Sequence, residues 1–148
     1  MTKIRRTFTA LAVAGAVFAA GAGAADARTA EASAAPRETI TPAFSNPISN
    51  IPGKSLMAVV VTYPPGGTTP AHIHAKSAFI TGYVLSGAIR SKVDDGAPRV
   101  FKAGESWTEE PGAHHGVSEN ASKTDPASLL AIFVVDSNEK ELTTITGR

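Results

Sequence analysis

The chain has 148 residues, 43% of them apolar and 18% charged, with no cysteine and a formal net charge of +1. That is one domain's length with enough apolar side chains for a core, which excludes wholesale disorder. The missing cysteines exclude a disulfide framework, a thiolate metal site and a cysteine nucleophile, and the near-neutral charge argues against a nucleic-acid binder.

Lys3, Arg5 and Arg6 precede an uncharged run from Phe8 to Ala25 that is rich in Ala, Val and Gly. The run ends in Ala22-Gly23-Ala24 and Ala25-Asp26-Ala27, both small-residue cleavage patterns. A basic start, an apolar middle and a small-residue exit predict a signal peptide over residues 1–27. A membrane anchor needs about 20 more strongly apolar residues. Arg5-Arg6-Thr7-Phe8 also shares part of the twin-arginine export pattern. The protein is therefore expected to be exported, periplasmic or secreted, with no membrane association once the segment is removed. Cleavage after Ala27 removes three basic residues and one acid, so the slight positive charge belongs to the leader.

Residues 28–50 carry few bulky apolar side chains and include Pro36, Pro42 and Pro47. They read as an extended or flexible arm around the edge of the domain. From Ile51 the texture changes and a domain over 51–148 begins. Leu56 to Tyr63 is a β-branched, apolar run that predicts a buried strand, stopped by Pro64-Pro65-Gly66-Gly67. Ala71–His74 and Phe79–Leu85 predict two more strands, the second ended by Ser86-Gly87. Ala88–Val93 alternates, meets Asp94-Asp95-Gly96 and returns through Arg99–Lys102, which predicts a hairpin. Ser106–Glu109, His115–Ser118 and Leu129–Val135 complete the set, and the polar tail from Asp136 can add an edge strand or a turn. Short strands at near-regular spacing, without a helical pattern, predict an all-β sandwich or barrel.

All four histidines fall in two tight clusters, His72 with His74 and His114 with His115. His72 and His74 stand two residues apart, so on a strand both imidazoles face the same way. Two such rings plus one from another strand can cage a divalent ion, with Fe(II), Mn, Zn and Ni as candidates. A lone His-x-His can also be a solvated surface pair, and the second cluster after a Pro-Gly turn raises the metal reading.

These residues resemble the cupin family. Gly66, five residues, His72-Ile73-His74 and the later Gly87 follow its first motif. Gly104 and then Pro111-Gly112-Ala113-His114-His115 follow its second, with Asn120 near the motif's closing Asn. The resemblance runs from about Ile51 to Val135. It implies a single double-stranded β-helix, or jelly-roll, barrel, with His72, His74 and His115 converging on a metal inside and His114 pointing away. Many cupins pair through sheet edges, so a homodimer is also expected from the resemblance.

One departure stands out. The first motif's ligand Glu would fall at Ile80, seven residues before Gly87, and no carboxylate lies between His74 and Tyr83. Three neutral histidines leave the ion's charge uncompensated and favour an anionic or chelating ligand. Glu109 is the best-placed carboxylate. It can ligate, act as a base or orient a histidine, or be a solvated turn residue beside Glu110. Ile80, Tyr83 and Trp107 are candidates for lining a substrate pocket, although Tyr83 and Trp107 suit barrel packing as well. The function expected is a metal-binding cupin with a small-molecule substrate, in a dioxygenase-type or a non-redox isomerase or lyase reaction. The alternative is a non-catalytic binding or sensing module.

Overall fold

The computed structural model describes residues 37–146. The leader at 1–27 and the first part of the arm lie outside the described residues. Eleven strands and no helix make up the described chain. They are β1 (Thr39–Pro47), β2 (Lys54–Tyr63), β3 (Thr68–Thr69), β4 (His72–His74), β5 (Phe79–Ser86), β6 (Ala88–Val93), β7 (Arg99–Lys102), β8 (Ser106–Glu109), β9 (His114–Asn120), β10 (Ala127–Asp136) and β11 (Thr143–Ile145).

One sheet has the order β1-β2-β10-β5-β8, the other β11-β4-β9-β6-β7, with β3 added beside β9. Every pairing between these strands is antiparallel. The first sheet turns one face to the core, with alternation clearest along β5 and β10. Val61 and Tyr63 on β2, Leu129 and Phe133 on β10, and Ile80 and Val84 on β5 point in and are buried. One core cluster gathers Tyr63, Val84, Ile89, Phe101 and Leu129, and a second gathers Ala78, Ile80, Phe133 and Val135. Val59 and Ala131 pack against both.

The turn from β5 to β6 depends on Gly87. Its φ is +67°, and a Cβ there would meet the Pro126 carbonyl oxygen and the Ala127 Cβ at 2.8 Å. Only glycine takes both the left-handed backbone and the close approach. The hairpin from β6 to β7 turns at Asp94, whose φ of 49° is tolerated by a short polar side chain.

The arm is in large part a strand. Residues 39–47 pair along β2, with a bulge between Pro42 and Phe44. All nine are exposed because only one strand covers them. The bulge follows from Pro42, which lacks the N–H that an unbroken ladder needs. The polar tail supplies β11, which lies against β4 so that Thr143 opposes His74 and Ile145 opposes His72.

Candidate metal centre

β4 and β9 bring the three histidines together. His72 lies directly opposite His115 across the ladder, and His74 follows on the same face of β4. All three rings are buried, between 5% and 6% exposed. The ring centroids of His72 stand 4.7 Å from His74 and 5.2 Å from His115. One ligand nitrogen from each ring falls within 4.8 Å of the other two. Ile73 and His114 pair on the opposite face, and His114 is exposed.

Neighbouring groups fix the rings. His72 Nδ1–H donates to the Pro70 carbonyl at 2.8 Å, which leaves Nε2 free. His115 Nε2 is hydrogen-bonded to Ser91 Oγ at 2.9 Å, which leaves Nδ1 facing Glu109. Burial lowers the pKa of His72, and it pushes His115 down to about 4. Both are neutral at pH 7, the form that ligates.

Glu109 enters from the other sheet, at the end of β8, and is 3% exposed. Its Oε2 approaches His74 Nε2 to 2.9 Å and its Oε1 approaches His115 Nδ1 to 3.3 Å. Trp107 Nε1–H donates to Oε1 at 2.9 Å. Burial works to raise the carboxyl pKa, but contacts with His74, His115 and Trp107 outweigh it and hold the group below the usual carboxylate range. The set is three imidazoles and one anion.

These groups fit a metal ion. His74 Nδ1 and Nε2 and Glu109 Oε2 are buried without an aligned hydrogen bond, even though two of them lie 2.9 Å apart. Each orphaned polar atom costs about 1–3 kcal/mol. A cation between these lone pairs removes that cost for the two that converge, His74 Nε2 and Glu109 Oε2.

The site floors a cavity of about 200 Å³. Its walls are mostly apolar, including Val59, Val61, Ile80, Leu129 and Phe133. Trp107 and Ile80, both expected at the pocket, line it. Tyr83 does not. It is 42% exposed, because alternation along β5 sends Ile80, Gly82 and Val84 inward and Tyr83 outward. Asn120 is buried away from the cavity. Its side chain donates to the carbonyls of Pro64 and Asp125 and accepts from Ser122 N–H, so it ties two loops together.

Three groups near the site escaped the sequence reading. Ser91 sits on the inward face of β6 and contacts His115. A polar residue at an inward position of an alternating strand was the available signal. Tyr63 Oη is hydrogen-bonded to Ser118 Oγ and Thr69 Oγ1 at 2.8 and 2.7 Å, beside the cavity wall. Glu38, from the segment read as an arm, reaches the cavity lining with a buried, unpartnered Oε2. No local pattern marked it.

A family model described as Cupin domain matches residues 59–133. The chain belongs to the cupin family. Solved structures bear out the double-stranded β-helix of this cupin. The TT1209 protein of Thermus thermophilus is 22% identical with a TM-score of 0.55, over 67% of this chain and 84% of that one. A double-stranded β-helix protein of Klebsiella pneumoniae is 18% identical with a TM-score of 0.57, over 73% and 85%. An oxalate oxidase in complex with the substrate analogue glycolate is 25% identical with a TM-score of 0.52. It is covered over 51% of its own length and matches 66% of this cupin. No curated protein sequence matches.

Proposed function

We propose that this cupin is an exported metalloprotein whose divalent ion, held by His72, His74 and His115, serves a dioxygenase-type reaction on a small chelating organic molecule. The observation that carries the reading is the convergence of buried lone pairs without aligned hydrogen bonds, His74 Nε2 and Glu109 Oε2, beside two further imidazoles at the cavity floor. A bound ion supplies Lewis acidity and, as iron or manganese, one-electron chemistry with dioxygen. The chain supplies the rest. His72 and His115 arrive neutral and oriented by Pro70 and Ser91. Apolar walls exclude water from the ligand.

The cavity of about 200 Å³ is small beside the roughly 300–1,000 Å³ of drug-sized sites, so the ligand is compact. The likeness to a glycolate-bound oxalate oxidase makes small carboxylic and hydroxy acids the first class to try. The basic, then apolar, leader at 1–27 supports export.

The test is elemental analysis of untagged protein recovered from an export-competent host, beside His72→Ala. Near-stoichiometric iron or manganese in the wild type, lost in His72→Ala, is expected, with oxygen consumption on a panel of small acids. Full metal occupancy in His72→Ala overturns the site. Beyond the three histidines and Glu109, Glu38 is the one acid–base side chain among the described lining residues, and that sparseness favours one second reading, a metal-held binding module. It is the outcome if acids bind without turnover.

The same proposal includes a homodimer. Leu130 on β10 stands beside Val60 and Tyr83, and Ile132 beside Ala58 and Thr81, on the outer face of the five-stranded sheet. Phe44 and Phe79 extend that face and are 39% and 38% exposed. Four strands by six residues span roughly 400 Å² in projection, the size at which apolar patches mark interaction sites. The face is uncharged at its centre, so its complement is another apolar sheet, which a second copy provides through a two-fold.

A further inference from the structure

Glu109 and Ile80 are partners in the β5–β8 ladder, one directly opposite the other. Both point inward, both are nearly inaccessible, and both line the cavity. Position 80 is where the first motif would place a ligand carboxylate, and here it carries a side chain without a donor atom. The carboxylate that is missing from β5 is present one strand away.

We infer that Glu109 is the fourth protein ligand of the metal, delivered from β8 to the coordination position that Ile80 on β5 has vacated. This rests on the three-histidine reading above. Two ligand atoms in adjacent positions, each about 2.1 Å from an ion, stand about 3.0 Å apart. Glu109 Oε2 and His74 Nε2 are 2.9 Å apart, the spacing of two such ligand atoms. A carboxylate that only oriented a histidine would accept an aligned N–H from it. The aligned donor to Glu109 is Trp107, and it takes Oε1. Oε2 has none. Trp107 thus anchors one oxygen and leaves the other free to ligate. The anion also balances half the charge of a divalent ion in a pocket with mostly apolar walls.

The test titrates cobalt(II) into the metal-free full chain and reads affinity and visible absorption, which reports coordination number. Wild type, His72→Ala, Glu109→Gln and Ile80→Glu/Glu109→Gln are compared, with circular dichroism of the metal-free forms to confirm folding. Glu109→Gln is expected to bind roughly 100-fold more weakly, the upper edge of what outer-shell changes do, and with an altered spectrum. The double variant is expected to recover most of the affinity and the wild-type band pattern. A Glu109→Gln spectrum identical to wild type, at any affinity, overturns the inference and leaves Glu109 outside the coordination shell. A folded double variant no better than Glu109→Gln overturns the equivalence of the two positions. If His72→Ala abolishes binding while Glu109→Gln binds cobalt with the wild-type affinity and spectrum, only this inference falls. If the wild type takes up no cobalt, the histidine reading falls with it.

Discussion

Trp107 lies so close over Gly82 that a Cβ at position 82 would stand 2.5 Å from the indole Cζ2. The two residues are paired across β5 and β8, and the glycine is the space into which the ring settles. The ring cannot retreat freely, because Phe101 sits 4.8 Å away on a centroid basis and the indole N–H is bonded to Glu109. Gly82→Ala is expected to destabilise the fold by about 1–3 kcal/mol, the usual cost of overpacking. It should also weaken metal binding, because a displaced indole lets go of Glu109. Denaturant melts and tryptophan fluorescence, with a metal titration, check this. A variant with wild-type stability and emission would show that the indole has room to move.

Ser91 is 3% exposed and bonds His115 Nε2. Ser91→Ala leaves that ring nitrogen without its partner. The expected result is a loss of about 1–3 kcal/mol in the metal-free protein and a roughly 10–100-fold weaker metal affinity. Unchanged affinity would mean that the cavity walls alone hold the ring.

Tyr63→Phe provides the contrast. Burial raises the pKa of this phenol, and its hydroxyl joins Ser118 to Thr69 without touching a histidine. The variant is expected to lose about 1–2 kcal/mol and to keep full metal stoichiometry in elemental analysis. Metal loss would connect the hydroxyl network to the ion.

Tyr83→Lys places a charge at the centre of the apolar outer face without reaching the cavity. Sedimentation velocity is expected to show a dimer for the wild type and a monomer for the variant, with equal metal content. A monomeric wild type at micromolar concentration overturns the dimer.

Much of the barrel was legible because its signals are local. β7 and β8 fall on the predicted residues, since glycine and proline turns bound them on both sides. The shared facing of His72 and His74 followed from the two-residue period of a strand, and the choice of His115 over His114 followed from the resemblance to the second cupin motif. Tyr83 was misplaced for want of that same period. Counted from the buried Ile80, it falls on the outer face. β1 was read as an arm because it is exposed on both sides and interrupted by proline, so the pairing that makes it a strand leaves no hydrophobic alternation. The direction of Glu109 could not be read either. It depends on the register between β8 and β5, a relation between residues 29 apart in sequence that no local pattern records.

The histidines belong to one sheet and Glu109 to the other. Whatever fastens Glu109 to His74 therefore works as a clasp between the two walls of the barrel. The walls cannot separate while the clasp is shut, so unfolding must wait for its release. Filling and emptying of the site would then be read as durability as much as chemistry, and the melting temperature would follow the supply of ion.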